Sequence, residues 1–148
     1  MITEDQIKMF NGVKQAFIDN PSKLNMSNWC GTTHCIAGEL VYQNNIKLWG
    51  EVYSNISRVI CIQNEACKLL DVVLENNNDF GKIFFAVSWP FEFAKEYMAR
   101  EILDDLQLVD YSKVEVLKNV IDSYIAYRSQ DKIINWQAFE DSLNNVAQ

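Results

Sequence analysis

The chain is poor in residues that interrupt or activate a fold. It has one histidine, two prolines and five glycines in 148 residues. With His34 as its sole histidine, any Cys–His chemistry must pass through that one position. Few prolines and glycines, with no repeat and no low-complexity tract, leave no linker, so one domain over 1–148 is expected. Apolar runs are short and broken by charge, and none reaches the roughly 20 residues of a membrane span. Met1-Ile2-Thr3-Glu4-Asp5 is acidic and lacks an apolar signal core, which points to a cytoplasmic chain. No G-x4-G-K phosphate loop and no C-x2-C knuckle occur, so neither a cofactor nor a metal is expected.

What is present is apolar and acidic. Hydrophobic residues make up 49% of the chain, enough at this length to bury a core without staples. The net charge is −7, and Glu65–Asp110 holds ten acidic and four basic residues, so this middle segment carries most of the excess. Such a surface repels phosphate backbones and gains nothing from counterion release, which disfavours direct nucleic-acid binding. It suits a basic protein partner, or it simply keeps the chain soluble.

Periodicity predicts an all-α bundle of five to seven helices. Thr3-Glu4-Asp5-Gln6 is a capping box, and Ile7, Phe10, Val13 and Phe17 follow on one helical face until Asn20-Pro21 stops it. A second helix is expected from Thr32 or Thr33, with Ile36, Ala37, Leu40 and Val41 inward. It weakens at Asn44-Asn45 and ends at Trp49-Gly50. Residues 51–62 fit a helix, but Arg58–Ile62 fits a short strand equally well. Asn64 is placed to cap a short helix through Ala66, Leu69, Leu70 and Val73. Asn76–Asp79 reads as a loop and Phe80–Val87 as core. Ser88-Trp89-Pro90 opens a helix with Ala94, Tyr97, Met98 and Ile102 inward. Ser112–Glu115 is a second capping box, followed by the stripe Leu117, Val120, Ile121, Tyr124 and Ile125 to about Ser129. Ile133–Trp136 reads as a short extended piece and Ala138–Asn144 as a last turn or two.

Chemically distinctive residues crowd into Asn28–Gly38, which holds Cys30, Cys35, His34, Gly31 and Gly38. Cys35 falls at a helix start, where free amides and the helix dipole lower a thiol pKa. That resembles a cysteine nucleophile, but His34 is its immediate neighbour, and adjacent helical residues point about 100° apart. Cys30 and His34 lie four apart, with a glycine and loop character between them. As a metal set, Cys30, His34 and Cys35 have the wrong spacing. Cys61 and Cys67 lie about 240° apart on a helix, so both cannot face one ion. Cys30 and Cys35 could pair as a redox switch if the loop folds back. Gly31-Thr32-Thr33 could hold an anion, although an ordinary helix cap looks the same. Glu101 with Asp104-Asp105, and Glu140-Asp141, read as solvated faces. The aromatics Phe80, Phe84, Phe85, Phe91 and Phe93, around Trp89-Pro90, read as core. An exposed patch among them would mark a protein partner.

The run Asn25-Met26-Ser27-Asn28-Trp29-Cys30-Gly31-Thr32-Thr33-His34-Cys35-Ile36-Ala37-Gly38 resembles a W-C-G-T-x-x-C-x-A-G motif of small uncharacterised bacterial and phage proteins. The looser similarity extends through Ala66–Leu70, Phe80–Phe85 and Trp136. That resemblance implies no activity. It leaves His34 at a free position of the motif and puts Glu39 where the similar sequences carry a large or aromatic residue. Together these readings give a non-catalytic acidic protein that binds another macromolecule, as an accessory, immunity-like or phage-borne inhibitor protein does. Trp29, Cys30, Gly31, Thr32, Thr33 and Cys35 are its candidate binding residues. The alternative is a small thiol-dependent enzyme or redox sensor using Cys35 or Cys30.

Overall fold

The computed structural model describes residues 1–26, 35–52, 59–72, 80–105, 112–130 and 135–146. Among them are seven α-helices and no β-strand. Helix α1 (Glu4–Asp19) begins at the expected capping box: the Gln6 amide donates to Thr3 Oγ1 at 3.1 Å, and the Thr3 amide donates to Gln6 Oε1 at 3.0 Å. Phe10, Val13 and Phe17 are fully buried from it and Ile7 is half-buried, so the predicted stripe is the packed one. Pro21 then opens a single 3-10 turn, Pro21–Lys23, that ends the helix.

Helix α2 (Ile36–Asn44) starts later than expected. Its N-cap is Cys35, while Thr32 and Thr33 lie outside the described residues. Asn45 is both the end of α2 and the cap of α3 (Ile46–Val52). Its amide donates to Val41 O at 2.7 Å, and its Oδ1 accepts from the Leu48 amide at 3.2 Å. Two consecutive asparagines therefore break one apolar run into two helices, and Gly50 lies inside the second.

Helix α4 (Val59–Leu70) decides one open alternative and overturns one expectation. Val59–Ile62 is helical, so no strand forms there, and Asn64 lies inside the helix and does not cap one. The 12-residue helix buries Ile62, Ala66 and Leu70, a one-face spacing of four and four that outweighs the local β-branched run. It ends in a Schellman motif: the Val72 amide donates to Cys67 O at 2.9 Å and the Asp71 amide to Lys68 O at 3.2 Å, with Asp71 left-handed at φ 54°.

Phe80–Phe84 and Ala86–Ser88 are 3-10 turns that bury Ile83 and Phe84 but leave Val87 exposed. The expected loop Asn76–Asp79 lies outside the described residues. Pro90 precedes α5 (Phe91–Asp105), and its carbonyl accepts from the Phe93 and Ala94 amides. Ala94 and Tyr97 point inward as expected, whereas Met98 is 40% exposed. Helix α6 (Ser112–Arg128) buries Leu117, Val120, Ile121 and Tyr124 and half-buries Ile125. The side chain of Ser112, and with it the second capping box, lies outside the described residues. Helix α7 (Trp136–Val146) is longer than the expected turn or two and is capped by Asn135, whose Oδ1 accepts from the Ala138 amide at 2.8 Å. The rest of the proposed extended piece, Ile133 and Ile134, lies outside the described residues.

Helix α1 packs between α2 and α6, with α4 against α2 and α3, and α5 against α6. One hydrophobic core runs through all of them. At its α6–α7 end, Tyr124 stacks edge-on with Phe10 (5.4 Å) and Phe80 (5.6 Å), and Trp136 lies 5.1 Å from Phe139. Edge-on aromatic pairs add a few tenths to about 1.5 kcal/mol beyond area burial. Among the described residues no helix is long and apolar enough to cross a membrane.

Candidate functional site

Cys35, a motif residue, is the N-cap of α2. Its backbone is extended (φ −86°, ψ −179°), and its Sγ accepts from the Gly38 amide at 3.4 Å. A thiol is therefore doing what serine or threonine does at most helix starts. The residue keeps some exposure but packs against the core. Burial pushes its thiol above the ordinary value, and this outweighs the downward pull of the Gly38, Ala37 and Cys35 amides. The expected lowering at the helix N-terminus is thus reversed: the amides are present, but desolvation of the thiolate wins. A protonated thiol is a poor nucleophile at neutral pH.

Of the other predicted site residues, Trp29, Cys30, Gly31, Thr32 and Thr33 lie outside the described residues, as does His34. None of Cys35, Cys61 and Cys67 forms a disulfide. On α4, Cys67 is buried and Cys61 exposed, as their six-residue spacing requires. Among the described residues no group of three His, Cys, Asp or Glu side chains is placed to hold a metal.

Sequence reasoning passed over the polar groups that α2 carries inward. Glu39 is 1% exposed, and its Oε1 accepts from Gln43 Nε2 at 2.8 Å and lies 3.3 Å from Lys23 Nζ. Gln43 Nε2 also reaches the Gly12 carbonyl at 3.1 Å, so one amide ties α2 to α1. Lys23 in turn sits 4.8 Å from the centre of the Tyr42 ring. A buried carboxylate survives only when it is paired and hydrogen-bonded, and in the first turn of a helix it also meets a favourable dipole. The signal was a charged residue three positions after Ile36 on the apolar stripe. The same carboxylate is engaged by Lys23 and Gln43, which makes it an anchor of the α1–α2 junction.

The aromatics around Trp89 divide. Trp89 is buried and donates through Nε1 to Ile83 O at 2.7 Å, and Trp49 and Trp136 are buried too. Phe91 is not: it is 63% exposed at the start of α5, with Val87 71% exposed just before it. Phe91 and Met98 lie seven residues apart, two helical turns, and so share one stripe of α5. Beside that stripe are Glu92, Lys95, Glu96 and Ala99, all exposed, and with Phe93 they line a hollow of about 330 Å³.

No family model matches the chain, and neither a curated protein nor a solved structure does.

Proposed function

We propose that this protein works without catalysis, by binding another protein through the outer face of α5. One observation carries the reading: Phe91, Val87 and Met98 stay in water while the neighbouring Trp89, Ala94 and Tyr97 are buried. Exposing a phenylalanine on a helix whose inner face is already packed contributes nothing to folding. Apolar side chains left in water on one side of a packed helix are what partners cover. The acidic balance of the chain favours a partner of opposite charge and argues against nucleic acid. A cytoplasmic, accessory or inhibitor-like role is the biological setting this reading fits. A half-buried, protonated Cys35 that caps a helix counts against the thiol-enzyme alternative.

The test is site-specific cross-linking. A photoreactive residue at position 98, in the cells that encode the chain, gives a discrete adduct identifiable by mass spectrometry. The same residue at exposed position 8 on α1 gives none. Equal adducts from both positions, or none from position 98, would overturn the reading.

A further inference from the structure

The outer face of α5 has two parts, and together they specify the chemistry of an occupant. Phe91 and Met98 form the apolar part, about 10 Å apart along the axis at 1.5 Å per residue. That length matches two turns of a facing helix. Glu92 and Glu96 form the acidic part, one turn apart and therefore neighbours on the surface. Neither carboxylate makes an ion pair or hydrogen bond among the described residues. Like charges at this spacing repel each other, and a bound cation relieves the repulsion. Both glutamates line the 330 Å³ hollow, with Ala99 leaving room beside them. Exposed Lys95 also lines the hollow, 5.9 Å from the Phe91 ring centre, so an occupant has to displace its ammonium into water.

Resting on the binding function above, we propose that this face docks a basic amphipathic helix. The helix lays apolar side chains over Phe91 and Met98 and places a lysine or arginine in the hollow between Glu92 and Glu96. Helix-in-groove recognition uses this combination of spaced apolar anchors and flanking charge. A second copy of the chain fits worse, because it would bring two unpaired glutamate rows of one sign together on chains of charge −7.

The experiment titrates the full chain with a fluorescein-labelled helical peptide of leucine and lysine, followed by anisotropy at two salt concentrations. Comparison peptides are a leucine–glutamate helix of the same pattern and a lysine-only peptide. Saturable one-to-one binding of the leucine–lysine helix alone is expected. Phe91→Ala should weaken it at least tenfold, as for a central aromatic anchor. Glu92→Gln with Glu96→Gln should weaken it roughly fivefold and reduce its salt dependence. Glu4→Gln with Asp5→Asn, the same charge change on α1, should leave it unchanged, and circular dichroism confirms that every variant is folded.

Equal weakening by the α1 variant would mean diffuse charge attraction and would overturn the proposal. So would equal binding of the lysine-only peptide, or a dimer of the chain that Phe91→Ala dissociates. If position 98 still cross-links a protein while the leucine–lysine helix ignores the Phe91 variant, the binding function stands and the basic-helix occupant fails. If position 98 cross-links nothing, the binding function itself fails.

Discussion

The Arg128 guanidinium, at the last turn of α6, donates to the Leu70 carbonyl at the end of α4 at 3.3 Å. The same Nη1 lies 3.1 Å from the Tyr124 hydroxyl, and the guanidinium carbon sits 5.5 Å from the Phe80 ring centre and 5.4 Å from that of Tyr124. Gln6 Nε2 reaches the adjacent Leu69 carbonyl at 3.3 Å. Two side chains from α6 and α1 thus satisfy carbonyls that a helix end leaves without intrahelical partners.

Arg128→Leu should therefore destabilise the chain by about 2–3 kcal/mol, the cost of losing charge-assisted bonds and leaving the Leu70 carbonyl buried without them. Arg128→Lys should recover part of this, since an ammonium keeps the charge but not the guanidinium's contacts with the Phe80 and Tyr124 rings. Urea denaturation of the three proteins measures both. A silent Arg128→Leu would show that the guanidinium does not close α4.

Asp71 holds a left-handed backbone at φ 54° to complete the Schellman turn after α4. A residue with a Cβ is disfavoured there, although aspartate tolerates the region better than most. Asp71→Gly should raise stability by roughly 0.5 kcal/mol, the relieved strain exceeding the extra entropy glycine loses on folding. Asp71→Val should lower it by about 1–2 kcal/mol. The urea midpoints decide, and a stabilising valine would refute the assignment of the turn.

Burial raises the Cys35 thiol above its ordinary value of 9.0. The unfolded chain then ionises near that pH while the native thiol stays protonated, so the native state binds more protons and stability falls as pH rises above 9.0. The loss continues until the native thiol also ionises. Below that window the thiol is protonated in both states and contributes no slope. Cys35→Ala should flatten this alkaline limb relative to the unmodified chain, as read from urea midpoints at several pH values. A brief iodoacetamide pulse at neutral pH, followed by peptide mapping, should label exposed Cys61 ahead of Cys35 and Cys67. Labelling of Cys35 first would restore the thiol reading.

Local signals in the sequence were enough for the all-α class, the Thr3–Gln6 capping box, the α1 and α6 stripes and the proline entry to α5, because each depends on residues within two turns of one another. The six-residue separation of Cys61 and Cys67 also sufficed to send them to different faces. Tertiary structure decided the rest. Val59–Ile62 is compatible with strand or helix by itself and became helical by packing Ile62 and Ala66 against α2 and α3. Cys35 has the amides of a low-pKa thiol, but desolvation by burial reverses the shift. Met98 and Phe91 read as core by composition and are exposed because Ala94 and Tyr97 turn the other side of α5 toward α6. Glu39 meets Lys23 of the 3-10 turn as well as its helix neighbour Gln43, and Arg128 meets the end of α4 as well as its helix neighbour Tyr124, so neither environment follows from its own helix alone. Periodicity along one helix reports which residues share a face, whereas the surroundings of that face depend on elements tens of residues away.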